Sequence, residues 1–101
     1  MSMPTKTIAS FAPSALRDIQ EMQAWYAEQL VPEIGERFAR EIIEKVEALQ
    51  AHPDMGCIVP EFGVVTLREL IHPPFRIVYR HDGSRVRVVR VWRSERLLKL
   101  P

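Results

Sequence analysis

The chain has 101 residues, of which 47% are hydrophobic and 27% charged, and its formal net charge is +1. This length predicts one domain, because a single core usually organises ~100 to 200 residues, and the composition excludes a disordered or membrane-embedded chain. No apolar run approaches the ~18 residues of a membrane span. The first residues lack the apolar core of a signal peptide, so we expect a cytoplasmic protein.

The N-terminal half predicts one strand followed by two helices. Residues 6–11 alternate weakly and indicate a short strand. The first helix is predicted at residues 13–30, because its apolar residues recur at helical spacing. A second amphipathic helix begins near Pro32, and Pro53 and Gly56 end it. Since the connection is so short, the helices should pack as an antiparallel hairpin against a sheet.

The C-terminal half predicts three strands, at residues 64–71, 75–81 and 84–93. Asp82-Gly83 separates the last two, and such a pair is a strong hairpin signal because a type I′ turn needs positive φ at both central residues. We therefore expect Asp82-Gly83 to be a two-residue loop. In the resulting register His81 faces Ser84, Arg80 faces Arg85, Tyr79 faces Val86, Val78 faces Arg87, Ile77 faces Val88 and Arg76 faces Val89.

This register sorts the side chains of the last two strands onto two faces. The face predicted to pack on the helices holds Phe75, Ile77, Tyr79, Val86 and Val88. The opposite face holds Arg76, Arg80, Arg85 and Arg87 around Val78 and Val89. A one-residue slip would mix the two sets, so their segregation supports the register. Near the strand end the pattern inverts, which places Arg90 and Trp92 on the helix side and Val91 on the basic side.

Together these elements predict an α+β fold, with an N-terminal helix hairpin packed on one face of a small, mostly antiparallel sheet. The charge is distributed unevenly along this fold. Residues 1–50 hold five Lys and Arg against eight Asp and Glu, whereas residues 51–101 hold nine against five. Such asymmetry predicts a nucleic acid or an acidic protein as partner.

The residue types that bind metals are sparse. The lone Cys57 cannot form an internal disulfide, and no His or Cys lies near it in the sequence. The three histidines are scattered along the chain. We therefore predict neither a metal site nor a cofactor.

The order of these elements and several local motifs resemble the RelE/ParE superfamily of bacterial toxins from toxin–antitoxin operons. The motifs are ALRDIQEMQAWY in the first helix, ALQAHPDMG at the end of the second, LRELIHPPFRIVYR across the central strands and RVVRVWRSER in the last strand. The similarity covers nearly the whole chain. It implies the toxin of a type II system that is neutralised by a cognate antitoxin.

The family divides by target: its RelE branch cuts mRNA on the ribosome, and its ParE branch inhibits DNA gyrase by binding. Attack by a ribose 2′-hydroxyl needs a base, an acid and a cation. Arg68, Arg76 and Arg93 offer cations, but no tyrosine follows Tyr79, and Trp92 and Arg93 stand where some relatives have a His-Tyr pair. The missing groups favour a ParE-like inhibitor over the endoribonuclease alternative. A degenerate toxin, retained only as an antitoxin or repressor partner, is the third possibility.

Two sets of contact residues are predicted. Target contacts are predicted at Arg76, Trp92, Arg93 and Arg96. Antitoxin contacts are predicted at Val78, Arg80, Arg85, Arg87, Val89 and Val91, although a merely solvated face is the alternative for the three arginines. An acidic amphipathic segment, disordered alone, would fold onto this basic face and its apolar floor and give a toxin–antitoxin hetero-oligomer. Tyr79 is expected to pack in the core.

Overall fold

A computed structural model of the protein describes residues 7–93. Within this range the chain forms the helices α1 (Pro13–Glu28) and α2 (Pro32–Ala48) and the strands β1 (Ile8–Phe11), β2 (Cys57–Ile58), β3 (Leu67–His72), β4 (Phe75–Asp82) and β5 (Arg85–Arg93). The strands form one sheet in the order β1-β5-β4-β3-β2. Only the β1–β5 pair among them is parallel, so the predicted α+β fold with a mostly antiparallel sheet is confirmed.

The main core lies between the two helices and one face of the sheet. Its buried members are Ala15, Ile19, Ala39, Ile42, Val46, Leu49, Leu70, Phe75, Ile77, Tyr79, Val86, Val88 and Val91. The helical members recur three or four residues apart, which is the spacing of one helix face. The helices pack closely, since a Cβ atom at Gly35 would lie 3.1 Å from the Cα of Gln23. The apolar face predicted for the last two strands is the face found in this core.

The β4–β5 hairpin differs from the prediction in its register. Asp82 pairs with Arg85, so the two-residue loop begins at Gly83 and not at Asp82. As a result Arg80 faces Arg87 instead of Arg85. Between the turn and Val88, the shift by two residues leaves each side chain on its predicted face, because side chains alternate along a strand with a period of two.

A β-bulge in β5 explains the inverted pattern near the strand end. The register shifts between Val78 and Tyr79, which leaves Val89 without a residue opposite. The extra residue resets the alternation of side chains beyond it. Val91 therefore returns to the core beneath the helices, and Trp92 packs against a second cluster on the other face. The predicted faces of Val91 and Trp92 are thus wrong.

Side chains of α1 take over the hydrogen bonding along β5 where β1 ends. The Ser14 hydroxyl donates to the Val89 carbonyl at 2.7 Å. One helical turn later, Asp18 accepts from the Val91 N–H at 2.9 Å and from the guanidinium of Arg90 at 2.8 and 2.9 Å. These contacts fix α1 against the bulged end of β5.

The segment between α2 and β3 contains a strand that the sequence did not predict. The two-residue β2 pairs with β3, and β3 itself begins at Leu67 and not at residue 64. The cis peptide Pro73-Pro74 joins β3 to β4. Neither helix found within residues 7–93 is long and apolar enough to cross a membrane.

Candidate functional site

The sheet face opposite the helices has a covered half and an open half. Residues 59–66, referred to below as the strap, connect β2 to β3 and fold over the covered half. Val59 at the start of the strap is fully buried, and it forms the second cluster with Leu67, Val78 and Val89. The strap is closed at its base, because the Val59 N–H donates to the carbonyl of Leu67, the first residue of β3, at 3.1 Å. This closed form is that of a compact Ω-loop.

The strap overturns the expectation of an exposed apolar floor. Val78 and Val89 lie beneath it with 0% and 9% of their surface exposed. Val91 is 5% exposed and lies in the core on the helix side. While the strap is closed, these three valines are therefore inaccessible to a partner.

Arg76 lies beneath the strap between two carboxylates. Its Nη1 and Nη2 atoms donate to Oε2 and Oε1 of Glu61 at 2.7 and 2.8 Å, and its Nε donates to Oε2 of Glu69 at 2.8 Å. The hydrogen bonds to Glu61, followed by those to Glu69, raise the pKa of Arg76 against the opposing effect of burial. The guanidinium thus stays charged but is occupied by its own chain. The expectation that Arg76 points outward to a ligand is wrong.

Tyr79 is buried in the core, as predicted, and its hydroxyl has two partners. The N–H of Gly56 donates to this oxygen at 3.0 Å, and the hydroxyl donates to the Pro53 carbonyl at 2.8 Å. Burial raises the pKa of Tyr79, and the hydrogen bond from Gly56 offsets part of that rise. A Cβ atom at Gly56 would lie 2.7 Å from the hydroxyl, so glycine is required for this contact.

The three cations of the endoribonuclease alternative do not converge on one site. Arg68 and Arg93 pair across the sheet with Tyr79 and Phe75, whose side chains face the helices. The guanidinium of Arg68 donates to a backbone carbonyl in the segment before β2 at 3.0 Å. Arg76 instead lies on the opposite face, under the strap. The chain therefore does not present these three arginines as one cluster.

The open half of the second face carries three exposed arginines, Arg80, Arg85 and Arg87, referred to below as the basic patch. Arg80 and Arg87 are directly opposite in the β4–β5 ladder. Within residues 7–93, none of the three forms an ion pair with a carboxylate. Since like charges directly opposite each other repel, the basic patch favours an anionic partner.

A groove of about 450 Å³ opens between α1 and the end of β5. Trp25, Tyr26, Trp92 and Arg93 are among the residues that line it. Trp25 lies at the rim with 52% of its surface exposed, and the guanidinium of Arg90 stacks 4.0 Å from the ring centre of Trp92. The groove thus combines aromatic walls with charged side chains, which is typical of sites that bind protein side chains.

Two of the four predicted target contacts, Trp92 and Arg93, meet in this groove. Arg76 is directly opposite Trp92 in the β4–β5 ladder but does not line the groove, and Arg96 lies outside the described residues. Trp25 was missed by the sequence reasoning. The sequence did hold a signal for it, because Trp25 is a large aromatic residue that lies beside the apolar stripe of α1 and not within it.

Two of the histidines lie beside carboxylates. Nδ1 of His81 lies 2.8 Å from Oδ1 of Asp54, and Nε2 of His72 lies 3.5 Å from Oε1 of Glu41. In the part of the chain that the structure describes, no group of three or more His, Cys, Asp or Glu residues is placed to hold a metal ion. The basic patch and the groove are therefore the surfaces that suggest function.

The fold is similar to those of chains in two solved toxin–antitoxin structures. A chain of the chromosomal ParDE toxin–antitoxin system from P. aeruginosa is 24% identical, with a TM-score of 0.75, and the match covers 90% of this chain and 99% of that chain. A chain of the RelBE2 toxin–antitoxin complex from Mycobacterium tuberculosis is 18% identical, with a TM-score of 0.63, and the match covers 93% and 98%. Both similarities concern the fold.

Sequence comparison identifies the family. No curated protein matches the chain significantly. The family model for the ParE toxin of the type II toxin–antitoxin system parDE matches residues 9–98. This match confirms the resemblance to the RelE/ParE superfamily and favours its ParE branch. The chain belongs to the ParE toxin family of type II toxin–antitoxin systems.

Proposed function

We propose that this toxin arrests growth in the cytoplasm by binding DNA gyrase and that it does not cleave RNA. The observation that carries the proposal is the engagement of Arg76 by Glu61 and Glu69. RNA cleavage needs a cation free to stabilise the phosphorane and groups free to transfer protons. Here the central cation is neutralised, and the Tyr79 hydroxyl has both of its hydrogen bonds in place. Inhibition by binding requires neither group.

The groove between α1 and β5 is the surface that we propose for the target. Trp and Arg are enriched among residues that dominate binding energy at protein interfaces. The groove presents Trp25 at its rim and Trp92 and Arg93 in its wall. An aromatic side chain at the rim loses little conformational entropy on binding, which makes Trp25 the expected anchor.

A cognate antitoxin is the second partner that we propose, and the basic patch is its docking surface. The similar structures are described as a toxin–antitoxin system and a toxin–antitoxin complex. Because the arginines of the basic patch are exposed and repel one another, an acidic segment would relieve this repulsion on docking. Neutralisation would then follow from a hetero-oligomer that hides the toxin's surfaces.

The target is tested by supercoiling assays with purified gyrase, run beside a translation assay in which codon-specific mRNA cleavage is mapped. The wild-type protein is expected to block supercoiling and to leave mRNA intact. Trp25→Ala and Arg93→Ala should each weaken the inhibition at least tenfold. Leu16→Ala on α1 and Arg40→Ala on α2, which are exposed outside the groove, are the matched controls and should inhibit normally.

Each alternative has its own outcome in these assays. Cleavage of mRNA at codons, without any effect on gyrase, would support the endoribonuclease and refute the proposal. The absence of growth arrest on induction, together with normal supercoiling, would support the degenerate toxin. Inhibition that survives both groove substitutions would move the target surface elsewhere on the molecule.

A further inference from the structure

We propose that the strap is a removable cover over the second face of the sheet. Glu61 binds the Nη1 and Nη2 atoms of Arg76, referred to below as the outer fork. When the strap lifts, an acidic side chain of a partner protein takes the position of Glu61 on this fork. The partner in this inference is the acidic antitoxin segment, so the docking part of the inference rests on the proposed function. The mobility of the strap is independent of that function. Glu61 would then be an internal substitute for a ligand, and Arg76 the residue that positions the strap.

Few contacts attach the strap to the sheet. Its hydrogen bonds from Phe62 and Gly63 both end on the carbonyl of Val59, inside the strap itself. The described attachments to the sheet are the buried side chain of Val59, the pair of Glu61 with Arg76 and three backbone hydrogen bonds. These bonds run from the Val59 N–H to the Leu67 carbonyl, from the Leu67 N–H to the Val64 carbonyl and from the His81 N–H to the Thr66 carbonyl. A loop held by this small number of contacts can move as a unit, because lifting it breaks few of them.

The outer side of the strap is also weakly packed. Its apolar side chains Phe62, Val64 and Val65 are 43%, 46% and 65% exposed. Their exposure means that burial of the strap's own side chains contributes little to closure beyond Val59. Closure therefore depends on the contact of Val59 with Val78 and Val89 and on the ion pair of Glu61.

The charges beneath the strap favour its release. Arg76 carries one positive charge, whereas Glu69 beside it and Glu61 at the exposed side of the pair carry one negative charge each. Glu69 lies on β3 and stays beside Arg76 when the strap moves, so lifting Glu61 leaves a neutral pair. Opening thus leaves Arg76 paired with a carboxylate, whereas breaking a buried ion pair usually leaves its cation uncompensated.

Lifting the strap would extend the basic patch along β4. Arg76, Val78 and Arg80 alternate along one strand and point to the same face. With the strap closed only Arg80 is exposed, whereas with the strap lifted all three would form a row of two cations around an apolar residue. The outer fork of Arg76 matches a carboxylate in two parallel hydrogen bonds. Such a row suits a partner segment that alternates acidic and apolar residues.

The first experiment measures the strap alone, by amide hydrogen exchange in wild type, Glu61→Ala and the control Glu44→Ala, whose position is exposed on α2. In Glu61→Ala, exchange within residues 59–66 and at the His81 N–H should be about threefold to fivefold faster, while exchange in α2 and in the rest of β4 stays unchanged. In a Trp25→Phe background, acrylamide should quench Trp92 more strongly once Glu61 is removed. Unchanged exchange in the strap would overturn the inference.

The second experiment measures how tightly an acidic peptide, hexaglutamate, binds to the outer fork of Arg76 once Glu61 has been removed. Glu61→Ala should bind hexaglutamate about tenfold more tightly than wild type does. Adding Arg76→Lys should abolish that gain, because lysine has the charge but not the fork. Equal affinity in wild type and Glu61→Ala would refute the docking half. If Glu61→Ala does not fold, Glu61→Gln is measured against the same thresholds in both experiments.

Neither measurement uses gyrase or an antitoxin. Failure of the gyrase proposal would leave both results standing. Conversely, a strap that stays closed in Glu61→Ala would leave the supercoiling assay unaffected.

Discussion

The hydroxyl of Tyr79 joins the core to the segment that follows α2, because it is bonded to the backbone of both Pro53 and Gly56. Replacement by Phe would keep the ring but leave one buried N–H without its partner. We expect Tyr79→Phe to lower the free energy of unfolding by about 1–3 kcal/mol, the range for a buried polar group left unsatisfied. Urea denaturation at pH 7 measures this loss. Unchanged stability would mean that water replaces the hydroxyl.

The raised pKa of Tyr79 also predicts a response to alkaline pH. The unfolded tyrosine titrates near a pKa of about 10, and the folded one titrates above it. Between the two values the unfolded state binds fewer protons, so stability falls as pH rises. The contribution is fully present below pH ~10. Wild type should therefore lose more stability from pH 9 to 11 than Tyr79→Phe does, measured by denaturation at each pH.

The cluster around Arg76 predicts an order of destabilisation among its members. Arg76→Met removes the cation that Glu61 shares with the largely buried Glu69 and should cost about 3–5 kcal/mol. Glu61→Ala leaves a neutral pair of Arg76 and Glu69 and should cost no more than about 1 kcal/mol. The triple variant Arg76→Met, Glu61→Gln, Glu69→Gln should recover most of the loss. Equal losses for Arg76→Met and Glu61→Ala would contradict this charge arrangement.

The end of α1 is a Schellman motif with an unusual residue. The Leu30 N–H donates to the Ala27 carbonyl and the Val31 N–H to the Tyr26 carbonyl, while Leu30 adopts a φ of 65°. This left-handed position normally carries glycine. Because Leu30 is 87% exposed, replacing it removes almost no packing.

We expect Leu30→Gly to stabilise the protein, because the left-handed conformation costs a side-chain-bearing residue about 1–2 kcal/mol. The larger backbone entropy of unfolded glycine offsets part of that, so the expected net gain is about 0.5–1 kcal/mol. Thermal unfolding of Leu30→Gly beside Leu30→Ala provides the test. Alanine retains a Cβ atom and should give no gain. Equal effects of the two variants would contradict the strain argument.

The elements were predictable where the local signals are strong, and less so where a choice depends on partners. Both helices were predictable, because each has a proline at its first position and apolar residues at helical spacing. In the hairpin, the predicted loop Asp82-Gly83 and the observed loop, which begins at Gly83, both place Gly83 in the turn, where its φ is 58°. The sequence therefore does not distinguish the predicted strand register from the observed one. Nor does it reveal the bulge at Val89, because the bulge depends on how α1 meets β5.

At the scale of the whole molecule, the alternation of side chains was enough to place the arginines of the basic patch on the face away from the helices. It was not enough to show that Arg76 is covered, because its partner Glu61 belongs to a loop with no periodic pattern. The groove shares this property, since Trp25 and Trp92 come from distant parts of the chain. The sequence thus indicated the faces of the sheet, whereas contacts between loops and strands decide which parts of those faces are accessible.

The basic patch lets partner binding be separated from folding. Arg80 and Arg87 repel each other in the free protein, so Arg80→Gln with Arg87→Gln should leave stability unchanged or raise it by about 0.2–1 kcal/mol. The same variant should bind the co-expressed antitoxin with an association rate about tenfold lower at low salt, because steering by charge is lost. Its rate should also depend less on ionic strength, since screening acts on the exposed charges that have been removed.

Stopped-flow association at two salt concentrations, with thermal unfolding of the free toxin, measures both effects. Arg17→Gln with Arg40→Gln is the matched control, because it removes the same two charges from exposed positions on the helices. The control should keep most of the association rate, since the removed charges lie on the opposite side of the sheet. Equal loss of rate in both variants would show that net charge, and not the patch, steers the partner. Loss of stability in the Arg80 and Arg87 variant would show that these side chains serve the fold.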